Sequence, residues 1–232
     1  AASPARRAQL ARLARWAELP PDRLAAEEEF WAAVRARYRL PAEFVQLENG
    51  YYSPQAEPVL EAFVAHVREV NRLGSRYMRT RQVEDKARVR ARLGAMAGVP
   101  PEELIVTRNP TESLDTVIAG HDWRPGDEAV MAATDYGAML DMFAQQARRH
   151  GIVNRVVRLP LHPRDDAEIV DAYAAAIGPR TRLLMVCHMV NVTGQILPVR
   201  AIADMAPARG VAVMVDGAHT FAQLDFRIPD LG

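Results

Sequence analysis

Four side chains that could bind a ligand or take part in a reaction follow apolar segments of the sequence. Thr111 lies where a helix is predicted to begin, and free N–H groups at a helix N-terminus favour phosphate or another anion. Tyr136 has a ring that can lie flat against a planar ligand. Asn191 offers both hydrogen-bond donors and acceptors, and Asp216 offers a carboxylate that needs a cation when desolvated. Together they suit a phosphorylated, planar, cationic heteroaromatic ring.

Each of these residues also has a purely structural explanation. Taken singly, Thr111 is better explained as part of a helix cap and Tyr136 as a packing or surface residue. Asp216 is better explained as a helix-capping acid, and His219, three residues later, as a structural histidine. For Asn191, a turn residue before a glycine is about as good an explanation as a ligand contact. The ligand site is favoured only by the combination.

The elements that must position these residues alternate between apolar strands and helices. This pattern is typical of an α/β fold with a mostly parallel sheet covered by helices on both faces. Ligands of such sheets bind beyond the carboxyl ends of the strands. The strands are predicted at residues 105–107, 128–133, 152–159, 182–188 and 211–216, and the helices between them begin near Pro110, Tyr136, Asp165 and Pro198.

The first hundred residues are predicted to be mainly helical. Apolar periodicity and breakers indicate helices at 5–18, 23–38, 55–73 and 83–97 and a short strand at 44–47. We therefore expect two parts, an N-terminal helical arm of residues 1–46 and a large domain of residues 47–232.

Composition excludes several classes of protein. The chain has 232 residues, with 29 Lys plus Arg against 29 Asp plus Glu, so the basic excess of a nucleic-acid-binding surface is missing. No apolar stretch approaches membrane-spanning length. The six histidines show no close ligand pairing, so no metal site is predicted. The single cysteine, Cys187, allows no internal disulfide and is read as a buried strand residue.

A nucleotide-dependent α/β enzyme is the alternative hypothesis for an enzymatic function. The sequence contains neither a Gly-rich dinucleotide fingerprint nor a phosphate loop with Gly-Lys-Ser/Thr, so this alternative is disfavoured.

Three segments resemble the class V aminotransferase family of pyridoxal-phosphate enzymes, which includes cysteine desulfurases and isopenicillin N epimerase-like proteins. The most specific is the strand and following residues at 211–219, and the others are 109–113 and 188–194 with Pro198. The segment 47–52 resembles the N-terminal active-site turn of the epimerase-like branch. The resemblance covers residues 47–232 and implies the large domain of a fold-type I pyridoxal-phosphate-dependent transferase.

The resemblance implies roles at the ring of pyridoxal 5'-phosphate. Asp216 would pair with the pyridinium nitrogen and make the ring an electron sink for a carbanion. His219 and Asn191 would bond the ring hydroxyl, and Tyr136 would stack on the ring face. Asp216 and His219 are thus the expected catalytic residues.

Further roles follow at the phosphate and the substrate. Thr111 would hold the phosphate together with its neighbours Asn109 and Glu112. Tyr51 and Tyr52 would lie near the substrate. Arg79 and Arg81 are candidates for binding a substrate carboxylate, although a solvated pair of arginines at a helix start is the favoured explanation of both.

The family's Schiff-base lysine and small C-terminal domain are expected after residue 232. Lys86, the only lysine in the chain, lies in a polar helix and matches no family motif. With the later lysine we expect a homodimeric enzyme that acts on an amino acid or amine-bearing metabolite by transamination, epimerisation or related carbanion chemistry. Without it we expect a non-catalytic protein of the same fold. The Ala-rich start without Met favours an exported, periplasmic protein over a cytoplasmic one.

Overall fold

The computed structural model describes Ala14 and residues 16–232. The chain divides into two compact units, Ala1–Arg81 and Gln82–Gly232. Most of the helix predicted at 5–18, residues 5–13 and 15, lies outside the described residues. The predicted division into residues 1–46 and 47–232 stays a prediction. Among the described residues, no helix is long and apolar enough to cross a membrane.

The first unit is helical in its described part. Where one helix was predicted at 23–38 there are two, because the backbone of Glu27 is extended and interrupts the helical run. The indole N–H of Trp31 donates to the carbonyl oxygen of Ala25 across this break, at 2.8 Å. The helices are α1 (Pro21–Ala25), α2 (Glu28–Arg35), α3 (Glu57–Leu73) and α4 (Ser75–Thr80).

The strand predicted at 44–47 is wrong. This segment has irregular backbone, and Leu47 is 87% exposed. A strand needs a hydrogen-bonded neighbour, and no residue described in the first unit belongs to a β-ladder. Four apolar residues of suitable type were therefore insufficient to make a strand.

The second unit contains a parallel sheet of four strands in the order β2-β1-β3-β4, flanked by helices. This confirms the α/β fold class. The strands are β1 (Glu128–Ala132), β2 (Val153–Val157), β3 (Thr181–Cys187) and β4 (Ala212–Asp216). The helices are α5 (Gln82–Ala97), α6 (Pro110–Gly120), α7 (Gly137–His150), α8 (Asp166–Ala176) and α9 (Val199–Met205), with short 3-10 turns at Pro101–Glu103, Pro207–Arg209 and Ile228–Leu231.

Both faces of this sheet are packed. Because successive strand residues point to opposite faces, all five residues of β1 are buried. One core lies between the sheet and helices α6 and α7 and includes Leu114, Ile118, Met131, Met139, Phe143 and Met185. The other lies on the side of α8 and α9 and includes Val130, Ile169, Tyr173, Leu184, Val186 and Ile202. Each large apolar side chain buried this way contributes about 1.5–3 kcal/mol.

The strand predicted at 105–107 is also wrong. Ile105 is 87% exposed, and the segment pairs with no strand of the described chain. Instead the hydroxyl of Thr107 lies 2.6 Å from that of Ser113 and donates to the carbonyl of Asn109. The segment therefore acts as the lead-in to α6.

A buried acid joins three strands at the amino end of the sheet. The Glu128 side chain on β1 is 3% exposed and lies 2.8 Å from the Arg155 guanidinium of β2 and 3.4 Å from that of Arg180, just before β3. Hydrogen bonding from Arg155, ahead of the contribution of Arg180, holds the pKa of Glu128 below its usual value. This cluster links β1 to β2 and to the residue that precedes β3.

We expect Glu128→Gln to lower the free energy of unfolding by about 1–3 kcal/mol, the usual range for a hydrogen bond to a charged group. The lowered pKa means that the stabilisation is present above the unfolded pKa of about 4.3 and is lost as the pH falls below it. Urea unfolding at neutral pH tests this. Asp204→Asn, at an exposed pair with Arg200, is the control and should cost less than about 1 kcal/mol. Equal losses in both variants would contradict a special role for the cluster.

Candidate functional site

Polar residues collect at the carboxyl edge of the sheet. Asp135 and Tyr136 follow β1, His188 follows β3, and Asp216 ends β4. In the sheet, β2 lies on one side of β1 and β3 lies on its other side, so the strand order reverses at β1. Such a reversal is where open α/β sheets bind ligands.

Asp216 is a buried carboxylate with an incomplete set of partners. It is 5% exposed, and its Oδ1 accepts a hydrogen bond from the N–H of Ala218 at 3.0 Å. Its carbonyl oxygen accepts from the N–H of His188 at 2.9 Å, which extends the β3–β4 ladder and fixes the backbone. No hydrogen bond to its Oδ2 is formed within the described residues, and this oxygen is not one of the fully buried unpaired atoms. A cationic ligand group would supply the missing partner.

Asp216 lines a pocket of about 640 Å³, within the range of about 300–1,000 Å³ typical of small-molecule sites. The first turn of α6 forms another part of the wall, through Asn109, Pro110 and Ser113. Phe221 and Phe226 add apolar surface. The pocket therefore combines a helix N-terminus, a buried carboxylate and aromatic rings.

The N-terminus of α6 retains donors for an anion. The Asn109 side chain caps the helix by accepting from the N–H of Glu112 at 2.9 Å. Pro110 has no N–H to offer. The N–H and hydroxyl of Thr111 have no hydrogen-bond partner in the described part of the chain, and they lie where the helix dipole favours negative charge. This arrangement fits a phosphate.

The Glu112 carboxylate is paired with Arg108. It accepts from the Arg108 backbone N–H at 2.7 Å and from the guanidinium at 3.2 Å. The hydrogen bond from the guanidinium is the main reason why the pKa of Glu112 lies below its usual value. The Arg108 side chain, 84% exposed, is thus held beside the N-terminus of α6. The part predicted for Glu112 in cofactor binding stays a prediction.

The other expected ring contacts lie outside the pocket wall. Tyr136 is the N-cap residue of α7 and is partly exposed. Asn191 is exposed in the turn at 191–194, and His219 is half-buried in the turn after Asp216. The structure therefore brings Asn109 and Asp216 into one pocket, and the roles of the remaining residues stay predictions.

The expected substrate residues belong to the first unit. Tyr51 and Tyr52 are exposed in a segment without regular structure, and Arg79 lies in the last turn of α4. Their roles stay predictions.

Asp135 is a buried acid that sequence reasoning passed over. It is 5% exposed, and its Oδ2 accepts from the N–H of Ala132 at 2.8 Å, while its Oδ1 is buried without a hydrogen bond. Burial, and then repulsion from Asp216, raises the pKa of Asp135 to about 7; the nearby Cys187 backbone lowers it weakly without completing a hydrogen bond. The position of Asp135 next to Tyr136 at the end of a strand could have suggested a site residue. The burial of Asp135, however, could not be predicted from the sequence.

The single cysteine is buried, which confirms the reading of Cys187 as an interior strand residue. Its thiol donates to the carbonyl of Met189 at 3.0 Å. Burial, together with repulsion from Asp216 and Asp135, raises the pKa of the thiol to about 12. At neutral pH the group is therefore a thiol with little nucleophilic character.

Comparison with known proteins identifies the family. The family model described as "Aminotransferase class-V" matches residues 52–232. The chain belongs to the class-V aminotransferase family. The predicted family is thereby confirmed, including the branch to which the resemblance pointed.

Relatives of this class-V chain are named as two kinds of enzyme, epimerases and cysteine desulfurases. Isopenicillin N epimerase of Streptomyces clavuligerus is 35% identical over 208 residues, which are 86% of this chain and 51% of the relative. Cysteine desulfurase CsdA of Escherichia coli is 31% identical over 77% of this chain and 42% of the relative. The chain spans about half the length of the curated relatives that it matches.

Solved structures give the same fold. A C-DES mutant with glycine covalently linked to its PLP cofactor matches with a TM-score of 0.71 and 25% identity, covering 82% of this chain and 51% of that one. CsdA of Escherichia coli matches with a TM-score of 0.67 and 28% identity, covering 86% and 51%. Family and structural relatives together support pyridoxal 5'-phosphate as the cofactor of this class-V chain.

We expect the raised pKa of Asp135 to impose a pH dependence on stability. The folded state holds this proton up to about pH 7, whereas an unfolded Asp releases it near about pH 3.9, so stability falls as the pH rises between these values, by about 2–4 kcal/mol. Asp135→Asn should remove this fall, because an amide stays neutral. Urea unfolding as a function of pH measures it.

Asp141→Asn, on the exposed side of α7, is the matched control and should leave the pH profile of stability unchanged. An Asp135→Asn profile that parallels the wild type would show that Asp135 does not cause the fall.

Proposed function

We propose that the full-length protein is a pyridoxal-phosphate-dependent enzyme that acts on an amino acid or an amine-bearing metabolite. The observation that carries the proposal is the buried Asp216 carboxylate in the same pocket as the N-terminus of α6. In this proposal Asp216 would accept a cation and the start of α6 would accept an anion; Asn109, Pro110 and Ser113 line the pocket there, and Thr111 is not among its lining residues. A pyridinium ring that bears a phosphate presents both charges.

Asp216 would bind the ring nitrogen and keep it protonated. When bound, the cofactor supplies an electron sink for the negative charge that develops on a substrate carbon. The N–H groups of Ala218 and His188 hold the side chain and backbone of Asp216 in place. Burial strengthens a hydrogen bond between this carboxylate and an N–H cation, because little water competes for either group.

The start of α6 would bind the phosphate. Thr111 would donate its N–H and hydroxyl, and Asn109 would keep the helix end capped and in place. Arg108, held by Glu112, would add positive charge beside the start of α6. We assign Glu112 this positioning part in cofactor binding, because its carboxylate is already paired.

The remaining residues complete the proposed site by resemblance. Tyr136 would stack on the ring, and Asn191 and His219 would bond its hydroxyl. By the same resemblance, Tyr51, Tyr52 and Arg79 are proposed to contact the substrate. Homodimerisation also belongs to the proposal.

Epimerisation is the first reaction to test, because the relative that is 35% identical is named as an epimerase. Transamination and other carbanion reactions come second. All of them require removal of a proton or another group from a carbon next to the amine, so a test of carbanion formation covers the whole set.

Replacing Asp216 should weaken cofactor binding. We expect Asp216→Ala to raise the dissociation constant of pyridoxal phosphate about 10- to 100-fold in the full-length protein, as the loss of a charge-assisted hydrogen bond implies. Equilibrium dialysis measures it. Asp204→Asn, an exposed acid on α9, is the control and should bind like the wild type. Equal affinity in Asp216→Ala would contradict the assignment of the ring-nitrogen partner.

Carbanion chemistry should appear as hydrogen exchange. We expect the full-length protein with pyridoxal phosphate to catalyse exchange of the α-proton of at least one amino acid in D₂O, followed by proton NMR. Asp216→Asn should slow the exchange by about 100-fold or more, because its amide cannot stabilise a positive ring nitrogen. Cofactor binding without exchange of any tested amino acid or amine would favour a non-catalytic protein of this fold.

A further inference from the structure

Asp135 closes the turn that leads from β1 into α7. Its backbone N–H donates to the carbonyl of Ala132 at 3.1 Å, and its Oδ2 accepts from the N–H of the same residue at 2.8 Å. Two hydrogen bonds between one pair of residues leave this turn little freedom. The carboxyl group therefore determines where the chain goes after β1.

Tyr136 is the next residue and is fixed from both sides. Its carbonyl oxygen accepts from the N–H groups of Met139 and Leu140, at 2.9 and 3.3 Å, and so begins α7. Met139 is fully buried under the sheet, which anchors the helix. The position of Tyr136 thus depends on the core on one side and on the Asp135 turn on the other.

Asp135 has no counterion among the residues that the structure describes. The titratable groups that act on it or that it acts on are Asp216 of β4, the Cys187 thiol of β3 and the Tyr173 hydroxyl of α8, and none of them is basic. A buried carboxyl group in such a place costs stability compared with an amide or an apolar residue. Residues that reduce stability in this way are expected at functional sites.

We propose that Asp135 is a positioning residue of the cofactor site, which holds Tyr136 at the ring-binding edge of the sheet through its hydrogen bonds to Ala132. This inference rests on the proposed function, since it assumes that Tyr136 stacks on the cofactor. Asp135 does not touch the cofactor itself. Its effect on binding should therefore pass through Tyr136.

A double-mutant cycle on cofactor affinity tests the proposal. Asp135→Ala, Tyr136→Ala and the double variant are compared with the wild type in the full-length protein, with the dissociation constant of pyridoxal phosphate as the readout. Asp135→Asn is the conservative variant, because its amide oxygen can still accept from the N–H of Ala132. Asp135→Leu fills the same space without that oxygen and replaces Asp135→Ala if the latter does not fold.

We expect Asp135→Ala to weaken binding about tenfold when Tyr136 is present and less than about twofold when it is replaced by Ala. Asp135→Asn should stay within about threefold of the wild type at neutral pH. This pattern would support the proposal, because a general loss of folding would weaken both backgrounds equally and would not depend on the amide.

Equal losses in both backgrounds, or no rescue by Asp135→Asn, would overturn the proposal while leaving the cofactor assignment intact. Failure of the wild-type protein to bind pyridoxal phosphate would instead defeat the proposed function, and this inference with it.

Discussion

The burial of the Asp216 carboxylate at the end of β4 constrains the rest of the second unit, because a charge removed from water must find a partner. The protein supplies only part of that partner, through the N–H of Ala218. The strand order places the carboxylate beside the end of β3, and the pocket places it with the start of α6. Sheet topology, helix placement and a preference for a cationic ligand are thus linked through one side chain.

Two buried carboxyl groups at one sheet edge create a second constraint. Asp135 and Asp216 are close enough for repulsion to contribute to the raised pKa of Asp135. Asp135 therefore keeps its proton below about pH 7, and Asp216 lines the pocket.

Much of the second unit could be predicted from the sequence, because β1 and β3 consist largely of buried apolar residues and the helices have clear starts and stops. The strands around Val130, Leu184 and Val213 were found within one or two residues. The strand predictions at 44–47 and 105–107 were wrong because these segments have no pairing partner in the described part of the chain. Their residue types suit a strand, but a strand also needs a hydrogen-bonded neighbour, and local sequence carries no information about that neighbour.

Part of the candidate site could be predicted from the sequence. Asp216 and Asn109 were found because strand ends and helix starts can be read locally, and the structure places both in one pocket. The importance of Asp135 was hidden, since its burial depends on β3, β4 and α8, which are distant in sequence. The ion pair between Arg108 and Glu112 is local in sequence. Because opposite charges four residues apart can pair at a helix, this ion pair could have been predicted.

The ionic cluster of Glu128 with Arg155 and Arg180 lies at the amino end of the sheet, and the pocket lies at the carboxyl end. The residues that line the pocket and the ion pairs that link the strands are therefore different groups at opposite ends of the sheet. A protein built in this way can evolve new reactions without first losing its fold. Relatives named as epimerases and as desulfurases on one scaffold are what such a separation would allow.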